Sequence, residues 1–389
     1  MMRHSLQWLL AAVWLGAAQA ALAAPAPKPA IVAAAAAHQK AKIAAYLHAW
    51  QAYEDEAAAY WKSIAEKRSL RFAKRRNNQP VELADYVLTQ PPVYTGPPRP
   101  PGYRPPRRHP TEPRVPIPTV AEFLAAAAEQ YKFVPDRPRT EAEFKQAYAR
   151  IASAAGLTRE QAVRIYSFET GGNGTYDGQA GLVGAGGRKV GRPISPAMGY
   201  NQLLSTNTLS LLAEHGDRFV ATLSEAAATL KEPERAAMER KISSLRKMIA
   251  YARTVPKAWS HQDKPAKTTR GGIGIHAAVL DRDIGPLLQT QKLLDSVLFA
   301  RMKGHARPLT AAELELMNFT GDGNGFDMVL MPQELREQVP TSNFFQRGGY
   351  ERNPIARRTG TVANLFAAIE SKMDRASQAP GAKELAEAF

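Results

Sequence analysis

Glu169 closes the run Thr158-Arg-Glu-Gln-Ala-Val-Arg-Ile-Tyr-Ser-Phe-Glu169-Thr-Gly-Gly172, whose pattern predicts a short helix that stops abruptly. Thr158 and Gln161 make a capping-box pair at its start, and Gly171-Gly172 supply the stop. Ala162, Ile165, Tyr166 and Glu169 recur at helical spacing, which sets the carboxylate on a largely apolar face. An acid placed there loses hydration, its ionised form is disfavoured, and it can keep its proton near neutral pH. Glycosidic-bond cleavage needs a proton donor of that kind. Turned to solvent, the same glutamate would be an ordinary helix-end charge.

A second run, Ser195-Pro-Ala-Met-Gly-Tyr-Asn-Gln-Leu-Leu-Ser-Thr206, carries groups suited to a sugar. Gly199 permits close approach of backbone to a ring. Asn201 and Gln202 offer donors and acceptors for hydroxyl and N-acetyl groups, and Tyr200 could stack on a sugar face. Ser195, Met198, Gly199, Tyr200, Asn201 and Gln202 therefore form a candidate substrate wall. The plainer reading is a helix start in which Gln202 is merely polar.

Taken in order, these segments resemble the lysozyme-like lytic transglycosylases, bacterial enzymes that cleave peptidoglycan. In that family a helix-terminal Glu-Ser precedes a Gly-Ala-x-Gly-Leu-Met-Gln-type segment and a later Ala-Tyr-Asn-Ala-Gly-type segment. Glu169-Thr170 stands for the first, Ala197 to Gln202 for the second, and Met317-Asn318-Phe319-Thr320-Gly321 for the third. The likeness spans roughly residues 140–330, with insertions that lengthen the gap between glutamate and glutamine. It implies that Glu169 acts alone, first as acid and then as base. A hydroxyl of the sugar itself attacks, breaking the bond between N-acetylmuramic acid and N-acetylglucosamine to leave an anhydro product. Phe319 is expected in the place of the family tyrosine. Lacking a hydroxyl, it would leave Asn318, Thr320 or Asp322 to hold the catalytic acid.

Asp177 is the next acid after Glu169 and the candidate second carboxylate. Facing the cleft, it could position water and make the protein a hydrolase of lysozyme or chitinase type. Phe319-Thr-Gly-Asp322-Gly-Asn324-Gly-Phe-Asp327 opens like a calcium loop, but later positions fall on Phe326, Asp327 and Gln333, which do not suit a cation. Phe319, Thr320, Asp322 and Asn324 are expected to line the cleft as a loop instead. The histidines show no zinc-ligand spacing and no Gly-x-Ser-x-Gly elbow occurs, so neither metal nor cofactor is expected. A glycan-binding or scaffolding protein without catalysis is the other class of function.

The elements that must position these residues read as helices, and the expected fold is mainly α, with a lysozyme-like catalytic domain. Helices are expected near 119–132 and 139–155, the latter entered through Thr140 and Glu143, then at 203–214, closed by His215-Gly216. Further helices are expected at 231–253 and 276–302, with a break at Gly271-Gly-Ile-Gly274. Residues 1–23 read as a secretory signal peptide: a charged start, a short apolar run and Ala21-Leu22-Ala23. Residues 24–90 read as an N-terminal helical region whose aromatics suit helix packing, 91–118 as a proline-rich linker, 119–370 as the catalytic domain and 371–389 as a tail. Asn343 to Pro354 is expected to pack near the cleft rim or in the core.

No cysteine occurs among the 389 residues, which excludes disulfides and a lipid-anchoring thiol. A periplasmic or secreted location is expected, with no membrane span. The formal charge of +15 suits an anionic envelope polymer. Export and the position of the basic clusters, Arg71 to Arg76 and Arg104 to Arg108, argue against nucleic acid. Peptidoglycan strands are the expected partner, and the N-terminal helices could meet other envelope proteins.

Overall fold

In a computed structural model, residues 29–104, 116–182 and 191–389 are described. The expected signal segment lies outside them. The described residues are mainly helical, and their only β pairing is three isolated bridges, Gln179 with Met198, Met198 with Leu203, and Pro340 with Thr361. None of these helices is long and apolar enough to cross a membrane.

The chain divides into two compact units. One contains residues 29–56 and 93–104. Its helical residues Tyr46, Trp50 and Tyr53 meet Tyr94 at ring-centroid distances of 6.0, 5.1 and 5.7 Å, and Tyr46 also meets Tyr103. The aromatic stripe is thus a packing surface, as its helical spacing suggested. The proline-dense segment 93–104, expected as a spacer, lies back on that stripe. Its extended backbone has no ladder of its own, and its tyrosines supply the apolar contact.

The second unit contains residues 57–92 and the described residues from 116 onward. The first helix, Pro29–Arg76, gives this unit its C-terminal part. There Arg71 is fully buried and lies over the Tyr86 ring, donating to the carbonyls of Asp85 and Asn343, both at 3.0 Å. Burial pushes its guanidinium down to about 10. Lys74 pairs with Asp85, and Arg75 with the buried Asp327. These cations of the basic run are spent on packing rather than offered as an open patch. Asn343 is fully buried at their centre, so the Asn343–Pro354 segment begins as core.

Capping chemistry sets the helix starts that matter. Thr119, Thr140, Thr158 and Thr310 each accept a hydrogen bond from the N–H three residues on, opening Val120–Tyr131, Glu141–Ala154, Arg159–Thr170 and Ala311–Thr320. Two expected breaks are absent. Ser205–Thr229 runs through His215-Gly216, because Gly216 is where Ile249 of the next helix, Glu234–Thr254, packs closest. Gly271-Gly-Ile-Gly274 is itself helical, within Arg270–Ile275. The expected 319–327 loop is also helix: Ala311–Thr320 and Asp322–Leu330 meet at Gly321.

Residues expected as a tail form Val362–Ala376, running on from the domain, and Pro380–Glu387. Ala382 and Leu385 are buried with Phe144, Tyr148, Ala162, Val163, Tyr166 and Tyr200. An alanine-rich, charged segment reads as solvent-loving until one notices that Ala382 and Leu385 share a face. Burying a side chain such as Leu385 contributes about 1.5–3 kcal/mol.

Candidate active site

The Glu169 helix, Arg159–Thr170, buries Ala162, Val163, Ile165, Tyr166 and Phe168 and ends at Gly171, whose φ of 69° provides the left-handed cap. The next residue, Gly172, is pressed against the C-terminal helices. A Cβ there would sit 2.1 Å from the Ala376 carbonyl. The helix end is held from outside as well as by its own cap.

Glu169 is partly buried at that end. Helices Ala311–Thr320 and Val362–Ala376 both pack on its helix. From the first, Asn318 Nδ2 donates to Glu169 Oε1 at 3.0 Å. One turn earlier on that helix sits Glu315, fully buried, facing the Glu169 carboxyl. Neither Glu315 oxygen receives a well-formed hydrogen bond from an N–H or O–H group among the described residues. From the second helix, Lys372 lies with Nζ 3.7 Å from the Phe168 ring centroid.

The electrostatics follow from this placement. Burial raises the Glu169 carboxyl above its ordinary value, while a hydrogen bond with Glu315, the Lys372 charge, the Asn318 amide and the Lys292 charge pull it part of the way back. Burial raises Glu315 much further, and the neighbouring Glu169 charge adds to it. Burial lowers the Lys372 ammonium, against the pull of the two glutamates. The resulting site is a carboxyl pair that holds protons tightly, with one member sealed and the other at the edge of solvent. It can donate a proton to a bound oxygen and take one back.

Comparison with family models, with curated proteins and with solved structures returned no match.

The other sequence-predicted residues are distributed unevenly about this pair. Asn318 is the member of the Asn318, Thr320 and Asp322 trio that reaches Glu169. Phe319, expected in the place of the family tyrosine, packs edge-on to Phe345. Thr320 turns its hydroxyl to the Leu316 carbonyl of its own helix, and Asp322 accepts from Ser296. Asn324 donates to the Thr320 carbonyl.

The Ser195–Gln202 strip is committed elsewhere. Tyr200 and Met198 are fully buried, so neither presents a face to a sugar. The Tyr200 hydroxyl donates to Glu141 at 2.5 Å, and its ring packs edge-on to Phe144, Tyr148 and Tyr166. Asn201 donates through its side chain to Tyr148 and to the Gln289 carbonyl. Gln202 donates to the carbonyls of Gly178 and Gly199. Ser195 accepts from the Ala197 N–H. Gly199 has a φ of 78°, and a Cβ there would meet Gln289 Nε2 at 2.1 Å, so the close approach it permits is to a side chain of this protein. Asp177 is paired with Arg137 at 2.5 Å and accepts from Thr175.

Glu315 and Lys372 were not singled out from the sequence. The signal for Glu315 was available: it precedes Asn318 by three, on the same helix face, within a run whose other members Leu314, Leu316 and Met317 are apolar. Lys372 lies in the segment that looked like a tail and carried no local sign.

Proposed function

We propose that this protein cleaves the glycosidic bond between N-acetylmuramic acid and N-acetylglucosamine in peptidoglycan, with Glu169 as the single general acid and base. The observation that carries the reading is the Glu169 carboxyl itself: at a helix end, partly buried, raised in proton affinity and held by Asn318. Protonated, it gives its hydrogen to the bridging oxygen. Ionised, it takes the hydrogen of the attacking hydroxyl, so the group is regenerated in one turnover. Lys372 and Lys292 favour the ionised form in between.

Two features favour one acid over the paired-carboxylate scheme. Asp177 is already occupied by Arg137 and Thr175. Glu315 is sealed from solvent and against Glu169, whereas a second carboxylate must face the first across the sugar, about 5–9.5 Å away. The attacking group is then a hydroxyl of the substrate, and the product an anhydro sugar. The positive charge suits an anionic envelope polymer, and the reading places the protein in the periplasm or outside the cell.

The test is digestion of purified sacculi by the mature protein and by Glu169→Gln. Soluble muropeptides released by the first and not the second support the reading, and equal release ends it. Mass analysis separates anhydro from reducing ends.

A further inference from the structure

Glu315 is the most thoroughly enclosed acid of the site, and nothing in the acid–base cycle above employs it. Its surroundings say which form it takes. Among the described residues no Lys, Arg or His nitrogen forms an ion pair with it, and the neutral donor beside it, the Asn318 amide, makes no well-formed hydrogen bond to either oxygen. An ionised carboxylate with neither an ion pair nor a well-formed donor in such a place is strongly unfavourable. A neutral carboxylic acid needs only an acceptor for its single hydrogen, and the acceptor beside it is Glu169. Charged groups reach this pair from two further helices: Lys372 of Val362–Ala376 acts on both carboxyls, and Lys292 of Ile284–Met302 acts on Glu169. Neither lysine closes an ion pair on Glu315. Asn318, from Glu315's own helix, lies beside both carboxyls and directs its well-formed hydrogen bond to Glu169 Oε1.

We propose that Glu315 is a positioning residue that stays protonated throughout turnover and donates its hydrogen to Glu169 once Glu169 has given up its own. The inference rests on the glycan-cleavage reading for its catalytic meaning, but the hydrogen bond can be tested without it. In the step concerned, the O–H bond of Glu169 breaks as the bridging oxygen gains that hydrogen, and the electron pair stays on Glu169. The new carboxylate then accepts two hydrogen bonds, from Asn318 and from Glu315, in a place where water is scarce. When the attacking hydroxyl returns a hydrogen to Glu169, Glu315 is unchanged. It lowers the barrier by stabilising the charge that develops on its neighbour, as a preorganised donor does.

Two variants and two readouts test this on the full chain. Glu315→Gln keeps a neutral donor of nearly the same shape, so sacculus cleavage should fall by less than about fivefold. Glu315→Met keeps the volume and removes the donor, so cleavage should fall by about ten- to a hundredfold. Without that donor Glu169 holds its proton more strongly, and the alkaline limb of the pH–rate profile should move to higher pH in Glu315→Met. A merely structural role would leave that limb in place. The second readout is infrared absorption of protonated carboxyl groups at pH 8. The wild type should show a band that Glu315→Gln removes and Glu169→Gln does not.

A Glu315→Gln variant as inactive as Glu169→Gln would overturn the proposal, because Glu315 would then have to ionise. Absence of the band in wild type, or its loss in Glu169→Gln alone, would overturn it as well. A wild-type protein that shows the band but never cleaves sacculi would sink the glycan reading and leave the hydrogen bond standing.

Discussion

Two glutamates in the same unit of this protein lose much of their hydration, and they lose it differently. Glu141, at the start of its helix, accepts from the Tyr200 hydroxyl at 2.5 Å and from the Tyr176 N–H at 3.0 Å, with the Lys145 charge also favouring its ionised form. Glu315 has another carboxyl in front of it and no well-formed hydrogen bond from a donor. Burial raises the proton affinity of both, but at Glu141 three groups work against the rise. The first arrangement ties the Ser195–Gln202 segment to the helix behind it. The second leaves a proton with one place to go. Burial alone therefore does not set a carboxyl's proton affinity; the inventory of partners around it does.

That contrast can be broken by substitution, and the largest effect is expected at Glu169. Glu169→Gln should lower sacculus cleavage by about 10²- to 10⁴-fold, the usual contribution of a general acid–base group. Its denaturant midpoint should stay close to wild type, since the amide can still meet Asn318. Asn318→Ala removes the donor that favours the Glu169 carboxylate, a hydrogen bond to charge worth about 1.5–3 kcal/mol. The alkaline limb of its kcat/KM profile should move to higher pH, because the acid then gives up its proton less readily. An unmoved limb would mean that Asn318 does not govern this carboxyl.

Tyr200→Phe probes the other glutamate. It takes one donor from a buried acceptor and should lower unfolding free energy by about 1–3 kcal/mol in urea. Cleavage per folded molecule should change by less than about twofold. A selective loss of activity there would restore the substrate-wall role that its burial argues against.

The smallest effect lies in how stability varies with pH. The folded state holds the Glu315 proton more tightly than the unfolded chain, whose carboxyl titrates near 4.5. Its contribution is therefore fully present below that pH and declines as pH rises through the interval up to the raised folded value. Glu315→Gln cannot lose it. The stability of Glu315→Gln relative to wild type should thus increase between pH 5 and pH 9, and a flat difference would show that Glu315 is already ionised.

Much of the site's frame was legible from residues alone. The Glu169 helix announced itself by Thr158, Gln161 and the paired glycines, because caps are local and use few residue types. The mainly helical fold followed from periodicity in the same way. What could not be read was long-range. Nothing near Tyr200 says that its hydroxyl meets Glu141, 59 residues earlier in the chain. Its side chain looked like a sugar platform because aromatic rings serve cores and carbohydrates alike. The glycines at 216 and 271–274 read as punctuation, whereas Gly216 is a place where another helix comes near. Lys372 reached the site from a segment with no sign of order beyond modest periodicity.

The turn behind the acid has a practical corollary. Gly172 is pinned by the Ala376 carbonyl, and Gly381 sits so close that an added methyl would crowd both the Gly172 carbonyl and the Tyr166 hydroxyl. The last two helices thus grip the Glu169 turn like the jaws of a vice. Trimming residues 378–389 for convenience, or a protease nick between those helices, would release one jaw and let the acid wander from its amide. A fusion partner is better joined where it does not tug on that clamp.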